Sequence, residues 1–184
     1  MRTLLLLRHA EAGPKDPEDG DHGRPVTQAG AHSAQTLGRW LAHQGLHPDA
    51  VLCSTARRAR ETLTALGLPC ADPEAFRFER ELYLASADAL LDRLTRVPPG
   101  PTTLLVVAHN PSIADLAEWL TATGDPNARD RLRRGFPPAA LAVLTPDVPD
   151  WSATAPHTAH LARFVDGVDG DVPCELALFP PGSE

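Results

Sequence analysis

An α/β fold, a three-layer αβα sandwich with a mostly parallel central sheet, is predicted for this 184-residue chain by three observations. Apolar runs of strand length alternate with helix-length amphipathic stretches, the pattern that lays helices over both faces of a sheet. Two runs, LLLL at 4–7 and TTLLVVA at 102–108, are continuously apolar, as strands buried on both faces are. Each run leads into a histidine, and ligands of open α/β sheets sit beyond the carboxyl ends of such strands.

Taken in order, residues 3–8 form the first strand and deliver Arg8 and His9 at its end. A loop rich in Gly, Asp and Pro over 13–26 is long enough for a functional role, and because it follows His9 directly, contact with substrate is expected. Thr27 is a suitable cap for a helix over 27–44. DAVLCS places a short strand at 50–54, followed by a helix over 56–66. Ser54, Arg58 and Thr62 are spaced by four and share one helical face. A short strand near 76–80, a helix over 86–96 and a strand at 103–108 follow. Asn110 reads as an N-cap and Pro111 as the first residue of a helix running from 112 to 123, whose free amides would open an anion site beside His109. Strands at 139–145 and 159–165 complete the expected domain, residues 1–166. The remainder, 167–184, is a Gly-, Pro- and Asp-rich extension with an apolar patch at Leu176–Phe179, expected to lie loosely on the surface.

Composition narrows the functional classes. A hydrophobic content of 42% is enough to bury a core, and a net charge of −7 argues against generic binding to nucleic acid or an anionic membrane. Cys53, Cys70 and Cys174 show neither metal nor redox spacing, which suits a reducing cytoplasm. The N-terminal apolar run is too short for a signal peptide and no segment approaches transmembrane length, so a cytoplasmic location is expected. His22, His32, His43, His47, His157 and His160 show no metal-ligand pairing. Arg129, Arg131, Arg133 and Arg134 read as a solvated helix or loop.

The ordered segments RHA at 8–10, RPVTQAG at 24–30, STARRARET at 54–62 and VVAHNP at 106–111 resemble the histidine phosphatase superfamily, related to the phosphoglycerate mutases, over about residues 2–145. Ala10 stands where glycine is usual, a change that is tolerated unless the backbone there needs positive φ. Within that superfamily the chain is most similar to the compact SixA-type phosphohistidine phosphatases. Only about twenty residues separate Glu81 from the strand at Thr102, and the helix over 86–96 uses them, leaving no room for the helical cap of the larger relatives. An uncapped, open site favours a phosphorylated protein over a small metabolite that must be enclosed.

The resemblance implies that His9 is the nucleophile, attacking phosphorus from one ring nitrogen while the other donates to a backbone carbonyl. It implies that Arg8, Arg58 and His109, with Asn110 beside them, hold the phosphoryl oxygens, so that no metal or other cofactor is needed. Glu81 matches the position of the acidic proton donor in related phosphatases, and Glu11, two residues beyond the nucleophile, competes for that role. Arg24 is a further family-like position that either reaches the phosphate or pins its loop to an acidic neighbour. The expected protein is a monomeric, metal-independent phosphatase acting on a phosphohistidine-bearing protein. A small-molecule phosphomonoesterase and a non-catalytic phosphate-binding module are the alternatives, and the presence of Arg8, His9, Arg58 and His109 together speaks against the module.

Overall fold

The computed structural model describes residues 2–69 and 73–166. Seven strands, β1 (Thr3–Arg8), β2 (Ala50–Ser54), β3 (Phe76–Glu79), β4 (Thr103–Ala108), β5 (Thr121–Gly124), β6 (Leu141–Pro146) and β7 (Ala159–Val165), form one sheet in the order β3-β2-β4-β1-β6-β7-β5. β3, β2, β4 and β1 run parallel, β6 is antiparallel to both β1 and β7, and β5 returns parallel to β7. Helices α1 (Gln28–His43) and α2 (Arg57–Leu66) cover one face, while α3 (Ala87–Thr95), α4 (Ser112–Leu120) and α5 (Pro126–Arg134) cover the other.

Strand periodicity explains why the central strands are apolar at every position. Leu4 and Leu6 enter the core under α3, α4 and α5, and Leu5 and Leu7 enter the core under α1 and α2. All four leucines are fully buried, each contributing on the order of 2 kcal/mol of hydrophobic stabilisation. In the register of the parallel strands, Arg8 lies opposite Ala108, and Leu7 and Cys53 both lie opposite Val107. His9 and His109 therefore emerge level with one another at the carboxyl edge, and Ser54, one step past Cys53 and so level with Ala108, ends β2 beside them. Against the sheet, α1 and α2 pack closely at Gly38, where a Cβ would fall 1.9 Å from the carbonyl oxygen of Leu66.

The structure departs from the sequence expectations at several elements. The helix expected over 112–123 stops at Leu120, and residues 121–124 instead form the edge strand β5. The Thr121 hydroxyl donates to the carbonyl of Ala117 at 2.7 Å, satisfying an end group of the helix as the chain turns. Asn110 does not cap that helix: it precedes a cis peptide to Pro111, and its side-chain amide donates to Phe136 O at 2.9 Å. The basic stretch is the second half of α5, which starts earlier because Asp125 caps it through Ala128 N at 2.9 Å and Pro126 takes its first turn. β6 begins at Leu141 rather than 139, after Ala139 adopts φ 61°. Between β3 and β4 the chain makes a short 3-10 turn (Arg80–Leu82) and α3, with no helical cap. No helix among the described residues is long and apolar enough to cross a membrane. The expectation of a loose extension over 167–184 lies outside the described residues.

Candidate active site

The buried strand ends place His9 by main-chain bonds on both sides: its N–H donates to Ala108 O at 3.1 Å and its carbonyl accepts from Ala139 N at 3.2 Å. Its ring Nδ1 lies 2.7 Å from Ala10 O. A carbonyl only accepts, so Nδ1 carries the proton and the lone pair sits on Nε2. That lone pair faces Arg58, whose Nε–H donates to it at 3.2 Å. Ala10 itself is buried and free of positive φ, so alanine fits the position. Its N–H donates to Thr62 Oγ1 at 2.9 Å, and Thr62 Oγ1 donates in turn to Arg58 O at 2.6 Å, tying the strand end to the helix that carries the guanidinium.

His109 faces His9 across 5.0 Å between ring centroids. Its Nδ1 is 3.3 Å from the Arg58 Nη2 and its Nε2 is 2.8 Å from Ser54 Oγ. Guanidinium nitrogens only donate, so Nδ1 is the acceptor and Nε2–H donates to the serine. Arg58 and Thr62 share one face of α2 and reach His9 and Ala10, while Ser54, expected on that helical face, is instead the last residue of β2 and reaches His109 from the strand. Burial, with the neighbouring arginines Arg58, Arg8 and Arg24 acting in the same direction and only the Ala10 bond opposing, pushes the His9 pKa down to about 4. Burial, His9 and Arg58 push His109 down to about 3. Both imidazoles are neutral at pH 7.

The arginines divide into occupied and unoccupied donors. Arg58 is 4% exposed and, besides His9 and His109, it donates through Nη1 to Asp21 O at 2.6 Å and through Nη2 to Asp21 Oδ2 at 3.1 Å. Arg8 donates through Nη1 to Phe136 O at 2.8 Å, and its buried Nε–H has no partner among the described residues. An unpartnered buried donor costs about 1–3 kcal/mol, a penalty that an anion at this strand end would relieve. Burial also lowers the Arg8 pKa. Arg24 takes the pinning role among the two expected for it: its Nε donates to Gly13 O at 2.7 Å, Nη2 to Ala12 O at 3.2 Å and Nη1 to Asp21 Oδ1 at 3.4 Å.

Neither glutamate joins this cluster. Glu81 is exposed on the 3-10 turn and makes no hydrogen bond or ion pair among the described residues. Glu11 is exposed too, and ties down the start of α1 by accepting from the Thr27 hydroxyl at 3.1 Å. Asn110, expected to help bind phosphate, has its amide donor engaged by Phe136 O, and its buried Oδ1 has no partner among the described residues.

Three residues that sequence reasoning did not single out for the site complete it. Asp21 accepts from Tyr83 OH at 2.8 Å as well as from both arginines. The Tyr83 ring stands edge-on to both His109, at 5.6 Å, and His22, at 4.8 Å. His22 Nε2 lies 3.1 Å from Thr55 Oγ1, and its carbonyl accepts from Arg57 N at 3.0 Å, anchoring the loop to the start of α2. Partial burial raises the Asp21 pKa, but the Tyr83 hydroxyl and the two guanidiniums outweigh it and hold the carboxylate below its ordinary range. The available signal was the long loop after His9, which carries Asp21 and His22, and the position of the chain's sole tyrosine two residues after Glu81. Among the described residues no group of three or more His, Cys, Asp or Glu side chains is arranged to hold a metal ion.

Comparison with known proteins bears on the family and the fold. The sequence profile of the histidine phosphatase superfamily (branch 1) matches residues 4–82. The uncharacterized protein Rv1276c of Mycobacterium tuberculosis H37Rv is 36% identical over 160 residues, spanning 86% of this chain and 98% of that protein. The structure of the proposed phosphohistidine phosphatase SixA from Nakamurella multipartitia superposes with a TM-score of 0.78 at 36% identity, covering 91% of this chain and 96% of that one. The corresponding proposed SixA from Agrobacterium tumefaciens superposes with a TM-score of 0.71 at 26% identity, over 89% of this chain and 97% of its own.

Proposed function

The chain belongs to the histidine phosphatase superfamily and is a phosphatase of the SixA type, and we propose that its substrate is phosphohistidine on a protein, hydrolysed through a phospho-His9 intermediate without a metal. The observation that carries this reading is the state of His9. The ring is neutral, its proton is held on Nδ1 by Ala10 O, and its Nε2 lone pair points at the guanidinium that would bind a phosphoryl group.

Nε2 attacks phosphorus as Arg58 swings its Nε–H from the histidine to a phosphoryl oxygen. The P–N bond to the substrate imidazole breaks, and the departing nitrogen takes a proton from solvent. Arg58 and the unpartnered Nε–H of Arg8 supply the positive charge, which is the main demand of phosphoryl transfer. The incoming dianion raises the proton affinity of His109, which then donates to an oxygen from Nδ1. Water attacks phospho-His9 in the second step, inorganic phosphate leaves, and Nε2 regains its lone pair.

Two features support the substrate class. Among the described residues no helical cap covers the site, so a phosphorylated side chain on a folded partner can approach it. The carboxyl bonded into the cluster, Asp21, is held ionised by Arg58, Tyr83 and Arg24 and so cannot donate a proton at neutral pH. A leaving imidazole, which is readily protonated by solvent, has less need of an enzymic acid than an alkoxide does.

The test is turnover, with chelator present, of a phosphohistidine-bearing protein against an aryl phosphate, for wild type and His9→Ala. The proposal expects the phosphoprotein to be the better substrate and both activities to vanish in the variant. A higher kcat/KM on the aryl phosphate would point instead to small phosphoesters, and activity surviving in His9→Ala would overturn the mechanism.

A further inference from the structure

We propose that Asp21 is a positioning residue that occupies Arg58 in the free enzyme and competes with the phosphoryl group for it, thereby setting how tightly the site holds phosphate and how readily product leaves. The proposal takes from the preceding section only that the site binds a phosphoryl anion, and its measurement does not depend on turnover.

Asp21 reaches Arg58 twice. Its main-chain carbonyl accepts from Nη1 at 2.6 Å and its carboxylate from Nη2 at 3.1 Å. The same Oδ2 accepts from the Tyr83 hydroxyl at 2.8 Å, and Oδ1 faces Arg24 at 3.4 Å. Arg24 is anchored to the carbonyls of Gly13 and Ala12, so the carboxylate is presented from a braced loop. Together with the bonds to His9 and His109, these contacts engage Nε and both terminal nitrogens of Arg58.

One carboxylate oxygen and one carbonyl oxygen of Asp21, taking the two terminal nitrogens of Arg58, occupy the donors that a bound anion would use, and the carboxylate supplies the same sign of charge. Two consequences follow from the overlap. Arg58 is held at one orientation, its Nε aligned on the nucleophile, before substrate arrives. A phosphoryl dianion entering beside it meets a like charge a few ångströms away, in surroundings where such repulsion is weakly screened. Affinity is thereby lowered for substrate and for product phosphate alike. Carboxylate and carbonyl act separately: neutralising the side chain leaves the Nη1 bond to the main chain in place.

The experiment is calorimetric titration of inorganic phosphate into wild type, Asp21→Asn and Asp21→Glu, with steady-state kinetics alongside. Asp21→Asn is expected to bind phosphate about fivefold or more tightly, to show a lower KM, and to lose kcat as phosphate release slows and Arg58 loosens. Asp21→Glu, which keeps the charge, should bind phosphate no more tightly than wild type. If Asp21→Asn does not fold, Asp21→Ser removes the same charge and reads the same quantity. Unchanged or weaker phosphate binding in the neutral variants would overturn the proposal and leave the phosphatase reading standing. Wild type that binds phosphate yet hydrolyses no phosphohistidine would sink the phosphatase reading alone, and wild type that binds no phosphate would sink both.

Discussion

The carboxyl edge of the central strands and the 13–26 loop contribute to the same site by different means. His9 and His109 are set level by the register of buried parallel strands, with Ser54 one step behind them at the end of β2, and their positions are as fixed as the core beneath them. Asp21 and His22 come from a loop that is held by Arg24, by Arg57 N and by Tyr83, with no apolar core of its own. The edge holds neutral imidazoles in place, and the loop brings a charge that can be exchanged for a ligand. Arg58 stands between the two, bonded to both histidines on one side and to Asp21 on the other.

Arg58→Lys strikes both regions at once and should have the largest effect. An ammonium cannot reproduce the planar fork onto His9, His109 and Asp21, so turnover should fall about a hundredfold or more. A loss under tenfold in steady-state kcat/KM would mean that charge alone suffices and that the two regions are not joined through this fork.

Acid should expose the strand-end region next. With His9 held down to about 4 and His109 to about 3, kcat/KM on a substrate that does not itself titrate should be level from neutral pH and decline only as pH approaches 4. The stability consequence has the same origin. Both folded pKa values lie below the unfolded value of 6.5, so the unfolded chain binds more protons below that pH, and stability is lost as pH falls from about 6.5 towards 4. Melting temperatures for wild type against His109→Gln should converge across that interval. Parallel curves would show that burial at the strand ends does not govern the titration.

Gly38→Ala separates scaffold from site. The added methyl meets the Leu66 carbonyl between α1 and α2, so the melting temperature should drop by several degrees, while kcat at a temperature where the variant is folded stays within about twofold of wild type. Glu81→Gln should have the smallest effect, under about threefold on a phosphohistidine protein, because Glu81 is exposed and bonded to nothing in the site. A much larger loss in either assay would restore Glu81 as proton donor.

Legibility in the sequence followed the same division. Continuous apolar runs ending in Arg8-His9 and in His109, and the four-residue spacing of Arg58 and Thr62, are local patterns that survive into the folded chain because burial enforces them, whereas Ser54, read onto the same helical face, ends β2. Asp21 and Tyr83 meet across 62 residues only through a hydrogen bond, and no periodicity marks such a pair. Glu11 and Asn110 make their own long-range contacts, to the Thr27 hydroxyl and to Phe136 O, which no local pattern marks either. The edge strand β5 was hidden because the helical pattern up to Leu120 continues into a TATG segment that only pairing with β7 makes extended.

The most direct measurement on the central claim is rapid acid-free quenching of a single turnover with phosphohistidine-bearing protein, followed by peptide mass spectrometry under alkaline conditions that preserve N–P bonds. The account predicts a transient phosphoryl group on His9 that forms before inorganic phosphate appears. Phosphate released with no phosphoenzyme at any time, or a phosphoryl group found on His109 or His22 in place of His9, would contradict it.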